Sequence, residues 1–294
     1  MTYNEEAHIG RCVSSIKNVV DKIVVVDSFS TDGTTQILTS LNIDYYQNSW
    51  KNYADQFAYG ASHIDQYDYI FRIDADEYCD EELLRSIKAI KANIDEFDGY
   101  YIERFMTFMR SPISFGGVFP SEVLRIYKNS SGKIESRWMD EHIVLKANTA
   151  SKKVKGKLID DSLKSLSWWI SKHNGYASRE AVDVLMQKHG LEIDSIADKG
   201  ISSEASFKRF LKESVYNRLP LFVGPALYFF YRYFLRLGFL DGAAGFQFHF
   251  YQGFWYRLLV NSKVSEVEKF MACNNAQLFE AINEILAINL NPHE

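Results

Sequence analysis

The chain has 294 residues, a net charge of −5 and a pI near 5.9, with 47% hydrophobic and 24% charged residues. That length buries a full core without metal or disulfide staples, and the composition excludes disorder, collagen and coiled coil. The acidic balance argues against a surface that coats nucleic acid, so no nucleic-acid partner is expected. Cys12, Cys79 and Cys273 are scattered and odd in number. They offer neither a disulfide framework nor metal-ligand spacing, which points to a reducing compartment.

The opening residues lack a charged n-region and an apolar h-region, so no signal peptide is expected. Thr2-Tyr3-Asn4-Glu5-Glu6 forms a polar turn. Asn4 is predicted to cap a helix over about 5–20, whose apolar face is Ile9, Cys12, Val13 and Ile16. Such a turn normally hangs from the carboxyl end of a buried strand. The reading therefore expects a strand of about six to ten residues ahead of Thr2, beside Ile23–Val26.

Ile23–Val26 is a continuous apolar run closed by Asp27-Ser28-Phe29-Ser30-Thr31-Asp32-Gly33, with a helix predicted from Thr34 to Leu41. Ile43–Tyr46 reads as the next strand and Asn52–Ser62 as a helix. Tyr69–Ile73 is a third buried strand, ending in Asp74-Ala75-Asp76-Glu77, followed by a helix over Glu81–Ile94 for which Asp80 is a good cap. Strands and helices thus alternate, and the polar clusters fall at the carboxyl ends of strands, the edge where open α/β sheets bind ligands. Beyond Gly99 the pattern turns strand-like at Tyr100–Ile102, Val123–Tyr127 and Ile143–Leu145. Residues 163–190 read as helical.

Residues 206–260 differ in kind. About fifteen aromatics lie between Phe222 and Tyr256. From Lys208 to Arg236 six basic residues (Lys208, Arg209, Lys212, Arg218, Arg232 and Arg236) stand against Glu213, a local charge of +5. The apolar run Leu219–Tyr231 is too short to span a bilayer, which takes ~20 residues. Basic, aromatic segments of this kind suit the plane of a membrane surface, with an inward-facing helical core as the alternative.

Two carboxylates at i and i+2, Asp74 and Asp76, need a reason to share a field. A divalent cation, Mg²⁺ or Mn²⁺, supplies one by bridging carboxylate to diphosphate oxygens. Asp27 sits at a strand tip, where it can accept a hydrogen bond from a nucleobase. Tyr3 offers a stacking face, and Glu5 a carboxylate for ribose hydroxyls.

The stretches Thr2–Glu6, Val24–Asp32 and Arg72–Glu77, in this order and spacing, resemble the family 2 glycosyltransferases with a GT-A fold. The likeness is strongest to bacterial enzymes that build lipopolysaccharide, capsule or exopolysaccharide sugars. Arg137–His142, Lys172–Ala177 and Phe234–Gly242 are similar to that branch too. The resemblance implies a Rossmann-like mixed sheet flanked by helices. It also implies a metal-dependent, inverting transfer from a nucleotide-diphospho-sugar, with a UDP-sugar favoured, to a glycan or lipid-linked acceptor. By position, Tyr3 and Glu5 would contact the nucleoside, Asp27 the base, Gln56 the donor, Asp74 the ribose and metal, and Asp76 the metal. Glu141, with Asp140 second, would be the base that takes the acceptor proton, and His142 is a weak further ligand. Trp138 is placed as a packing residue or acceptor wall, and Lys172 and His173 as surface residues or diphosphate contacts. Gln56 is followed by Phe57-Ala58-Tyr59 where related sequences carry a polar neighbour, which leaves the donor less defined than the reaction.

The resulting organisation is a nucleotide-sugar-binding and catalytic domain over 1–160, a helical connecting segment over 161–205 and a membrane-associating helical region over 206–294. The expected location is the cytoplasmic face of the inner membrane. A nucleotidyltransferase would want a Gly-rich basic phosphate loop, which Tyr3–Arg11 lacks. An inactive membrane-docked scaffold would be expected to have lost Asp76 or the late acid pair, and both are kept.

Overall fold

A computed structural model describes residues 1–92, 96–134, 143–191 and 220–290. Two compact units emerge, one ending at Ser165 and the other beginning at Leu166.

The first unit contains α1 (Ile9–Ile16), β1 (Val24–Asp27), α2 (Thr34–Ser40), β2 (Asp44–Gln47), α3 (Tyr53–Ala61), β3 (Tyr69–Phe71), β4 (Glu77–Cys79) and α4 (Glu81–Lys91). These are followed by β5 (Gly99–Phe108), β6 (Ser111–Ile113), β7 (Ser121–Lys128), β8 (Gly132–Ile134), β9 (Ile143–Leu145) and β10 (Ser151–Asp160). β1 pairs in parallel with β2, Val25 opposite Tyr45. A second sheet runs β3-β7-β5-β10-β4, with β6 folded back on β5. Within it β5 and β10 are parallel and the other pairs antiparallel. The expected mixed sheet flanked by helices is therefore present.

Amphipathic spacing decides what each helix buries. Ile16 of α1 and Leu83 and Ile87 of α4 pack on Tyr100, Ile102, Ile126 and Leu158 of the sheet. Ile9 and Val13, on the same stripe of α1, close over Val25 and Leu38. Leu83, Ile102 and Leu158 are fully buried, so truncating any of them to Ala costs roughly 2–5 kcal/mol. α4 begins where expected: the Asp80 carboxylate accepts from Leu83 N at 2.8 Å.

Several elements depart from the sequence reading. The helix expected over 5–20 spans only Ile9–Ile16. Asn4 does not cap it. Asn4 lies at φ +55°, and its Oδ1 accepts from Thr31 N at 2.8 Å, which ties residues 2–6 to the loop after β1 instead. β4, the short strands β6 and β8 and the long strand β10 were not anticipated. In β10 the register shifts between Lys153 and Lys157, around Gly156 at φ +98°. A Cβ there would come within 2.1 Å of Leu83 N, so α4 can approach only over glycine.

The second unit is helical: α5 (Leu166–Lys188), α6 (Val223–Phe230), α7 (Gly242–Phe248), α8 (Tyr256–Asn274) and α9 (Leu278–Leu286), with π-helical turns over Tyr231–Leu235 and His249–Trp255. Ala181, Val182 and Leu185 of α5 share one core with Val264, Val267, Ala281 and Ile282. Among the described residues no helix is long and apolar enough to cross a membrane. Arg232, read from sequence as part of a basic flank, is instead 1% exposed. It donates to Gln252 and lies 5.3 and 5.4 Å from the rings of Tyr228 and Phe248, which give the buried charge its cation–π partners. Lys208, Arg209, Lys212, Glu213 and Arg218 lie outside the described residues. Arg236 is exposed, as the basic flank expects, and beside it this unit exposes apolar side chains: Phe222, Leu227, Phe230, Phe234, Leu235 and Leu240.

Candidate active site

Two loops lock together above β1. Asn4 N donates to Ser30 Oγ and Glu5 N to Thr34 Oγ1, both at 2.8 Å, while Glu6 Oε2 accepts from Gly33 N at 2.8 Å. The small hydroxyl residues of the 28–34 stretch are therefore anchors for the Tyr3–Glu6 turn. Asp27 is fully buried and organises the loop from within: its carboxylate accepts from Ser30 N at 3.0 Å, Ser30 Oγ, and Gln47 Nε2 at 3.1 Å. Gln56 is also fully buried. Its amide donates to Ser28 Oγ and accepts from Asn48 Nδ2, both at 2.9 Å, so it rivets the tips of β1 and β2 together. Tyr3 and Phe29 stand out of these loops as exposed rings, Phe29 at φ +60°.

Glu5 is held by two cations or donors. Its carboxylate meets His8 Nδ1 at 2.6 Å and Lys164 Nζ at 2.6 Å. Burial alone would raise its pKa, but the hydrogen bonds from His8 and Lys164, with the Lys164 charge, hold it below the ordinary value. His8 Nε2 accepts from Leu163 N at 2.7 Å, which fixes the proton on Nδ1, facing Glu5. Lys164 also donates to Asn4 O at 2.8 Å. None of His8, Leu163 and Lys164 was singled out from sequence, because their meeting depends on residues about 155 positions apart.

Asp74 and Asp76 lie in the turn that joins β3 to β4, at the carboxyl end of β3. Behind them sits a buried ion cluster. Arg125 Nη2, from β7, reaches Glu77 Oε1 at 2.5 Å and Asp74 Oδ2 at 3.1 Å, and Arg72 Nη2 lies 3.8 Å from Asp74 Oδ1. Burial works against ionised Asp74, but Arg125 and Arg72 hold its pKa well below the usual carboxylate range. Burial pushes Glu77 upward against the pull of Arg125. Glu77 Oε2 also accepts from Asp74 N at 3.0 Å, which fixes the turn backbone. Asp76 O accepts from Asp161 N at 3.1 Å, and the Asp161 carboxylate takes hydrogen bonds from Arg11 and Thr107. An Arg inside the apolar strand Val123–Tyr127 was the available sequence signal for this cluster.

Asp74 and Asp76 carry hard oxygen donors two residues apart on a turn whose backbone Glu77 fixes. That donor set fits Mg²⁺ or Mn²⁺, which are commonly held by one or two carboxylates and complete their shell with substrate phosphate and water. Among the described residues no group of three His, Cys, Asp or Glu side chains is placed to hold an ion. Arg137, Trp138, Asp140, Glu141 and His142 lie outside the described residues. In the helical unit His173 falls within α5, not at a helix start. It stacks on Trp169 at 3.5 Å between ring centroids, and its Nδ1 donates to Trp169 O at 2.8 Å. Lys172 Nζ lies 4.8 Å from the ring of Trp168.

Residues 1–114, which span both loops and the Asp74–Asp76 turn, match the profile described as glycosyl transferase family 2. A lipopolysaccharide core biosynthesis glycosyltransferase of Rhizobium meliloti, LpsC, is 30% identical over 190 residues, covering 60% of this chain and 67% of LpsC. A glycosyltransferase of Rickettsia typhi, RT0209, is 29% identical over 196 residues, covering 64% of this chain and 67% of that protein. Among solved structures, residues 1–349 of TarS from S. aureus align over 97% of this chain and 89% of TarS, at 16% identity and a TM-score of 0.41. The order of the site-bearing loops, the profile match and the extended likeness to LpsC agree, and the chain belongs to glycosyltransferase family 2.

Proposed function

We propose that the chain is a metal-dependent, inverting glycosyltransferase of cell-surface polysaccharide synthesis. It takes a sugar from a nucleotide-diphospho-sugar, with a UDP-sugar favoured, to a hydroxyl of a glycan or lipid-linked acceptor. The observation that carries the reading is the pair Asp74–Asp76, held on a fixed turn at the carboxyl end of β3. Membership of the family supports glycosyl transfer, and the relative LpsC supports a lipopolysaccharide-type product.

In this reading Tyr3 and Phe29 stack on the nucleobase, since both rings are exposed on loops tied by Asn4. Glu5 faces the ribose and is oriented by His8 and Lys164. Asp27 and Gln56 act on the donor through the loops they shape, because their polar atoms are occupied within the protein. Asp74 and Asp76 would hold Mg²⁺ or Mn²⁺, which neutralises charge on the departing diphosphate. Arg125 and Arg72 keep Asp74 ionised for that purpose. Glu141, with Asp140 second, accepts the proton of the attacking hydroxyl, and attack from the opposite face inverts the anomeric centre.

The exposed apolar residues of 222–240 rest on the cytoplasmic face of the inner membrane, where a lipid-linked acceptor is found. The test is slow hydrolysis of UDP-sugars in Mn²⁺, screened across donors, and transfer to lipid-linked oligosaccharide. Hydrolysis of one donor that stops on chelation supports the reading. Absence of turnover and of donor binding across all nucleotide-sugars overturns it.

A further inference from the structure

The two acids of the Asp74–Asp76 turn have different supports. Asp74 is held through its side chain, by Arg125 and Arg72. Asp76 is held through its main chain. In the antiparallel ladder of β4 and β10, Asp160 lies opposite Glu77. One step further along, Asp161 N donates to Asp76 O at 3.1 Å, so the ladder ends on Asp76 itself.

Arg11, from α1, locks that end. Its Nη1 pairs with Asp161 Oδ2, while its Nη2 donates to Asp161 O at 2.6 Å and reaches Asp76 O at 3.5 Å. Thr107 of β5 donates to the other carboxylate oxygen of Asp161. The Arg11 guanidinium also lies 4.5 Å from the ring centre of Tyr78 on β4. A planar fork with fixed donor directions can meet the carboxylate and both carbonyls together, which a compact ammonium cannot. Asp161 is buried, so little water competes for these bonds.

The same short segment reaches the other turn of the site. Leu163 N donates to His8 Nε2, and Lys164 Nζ donates to Glu5. Residues 161–164 therefore bond to Asp76 at one end and to the support of Glu5 at the other. α1 repeats the link, because His8 and Arg11 both lie along it and contact this segment.

We propose that Arg11 and Asp161 are positioning residues that set Asp76 relative to the Tyr3–Glu6 turn, so that a divalent cation and a nucleoside are held at one spacing. The inference rests on the reading in which Asp74 and Asp76 hold the cation. Both residues act through the Asp76 main chain. Partners that orient a metal ligand contribute roughly 10–100-fold in metal affinity. The sign of the effect separates positioning from charge. As a charge alone, Arg11 repels a divalent ion, and its removal tightens binding. As a clamp, its removal weakens binding.

The test titrates UDP calorimetrically into the full chain, in Mn²⁺ and again in EDTA. The variants are Arg11→Met, Arg11→Lys and the Arg11→Met/Asp161→Asn pair, in which no buried carboxylate is left without its cation. Circular dichroism checks the fold of each. Arg11→Met is expected to weaken UDP binding in Mn²⁺ by roughly tenfold or more and to leave binding in EDTA unchanged. Arg11→Lys, which keeps the charge and loses the fork, is expected to fall between Arg11→Met and the unaltered chain. Unchanged or tighter binding by Arg11→Met in Mn²⁺ overturns the proposal. An equal loss in both buffers also overturns it, since a general disturbance of the fold does not single out the metal. If Arg11→Met does not fold, the paired variant is judged by the same criteria. UDP binding that ignores Mn²⁺ in the unaltered chain removes the metal reading and this inference together. Metal dependence that survives in the variants at full strength removes this inference alone.

Discussion

Arg125→Met is the substitution whose cost follows most directly from the geometry. Arg125 is 4% exposed and Glu77 1% exposed, with Nη2 and Oε1 2.5 Å apart. Methionine fills much of the same volume but leaves the Glu77 carboxylate buried without its cation. Asp74 is less affected, because Arg72 remains 3.8 Å away. Breaking one partner of a buried pair costs about 3–5 kcal/mol, a large share of a typical stability of ~5–15 kcal/mol. Burial already pushes Glu77 toward its neutral form, so proton uptake by Glu77 brings the cost toward the lower figure at neutral pH. The assay is urea unfolding followed by circular dichroism, with the single variants and the Arg125→Met/Glu77→Gln double variant. The double variant is expected to recover at least ~1 kcal/mol over Arg125→Met, since no buried charge is then left alone. A cost below ~1 kcal/mol for Arg125→Met refutes the argument. So does a double variant in which the two single costs simply add.

Glu141→Gln should preserve donor affinity and abolish transfer, with Asp140→Asn milder; the reverse order in rate, with donor binding intact, exchanges the two roles. His173 and His249 are both pulled down to about 4, chiefly by burial, with the charge of Arg232 adding to the effect on His249. An unfolded histidine titrates near 6.5, so between that pH and about 4 the unfolded chain holds protons that the folded chain does not. Stability of the helical unit should therefore fall as pH drops through this window, by up to roughly 1.4 kcal/mol per unit for each histidine. His173→Phe and His249→Phe should flatten the dependence of the urea midpoint on pH, and an unchanged slope would count against it. The exposed apolar residues of 222–240 should carry the protein onto vesicles in co-sedimentation, and Leu235→Asp with Leu240→Asp should release it. Because Arg232 is buried, salt should loosen this binding less than a full charge of +5 implies; complete release at moderate salt would restore the electrostatic account.

The legible parts of the chain are those whose signal is local. The Ile23–Val26 run, the Asp80 cap and the long helix within 163–190 each announce themselves within a dozen residues, and each appears as β1, the start of α4 and α5. β10 was hidden because only Val154 and Leu158 are buried in a lysine-rich stretch, four residues apart instead of two. Gly156 holds the position between them on the same face and carries no apolar side chain, so the alternation that would have revealed the strand has a gap. The site shows the same division. Asp74 and Asp76 were visible as a motif on a strand end, whereas Arg125, Lys164, Asp161 and His8 act across about 50 to 160 residues of sequence. Asn4 was misread because its side chain can serve either a helix start or a loop. The left-handed backbone at Asn4, which decides between them, is a property of the folded loop pair.

The central claim rests on Asp76 most directly. Isothermal titration of a UDP-sugar, in Mn²⁺ and again in EDTA, compares the unaltered chain with Asp76→Ala. The account predicts metal-dependent binding by the unaltered chain. It predicts equally weak binding in both buffers by Asp76→Ala, whose circular dichroism spectrum stays unchanged because Asp76 sits in a turn outside the buried core. Metal-dependent binding that survives Asp76→Ala at full strength would contradict it.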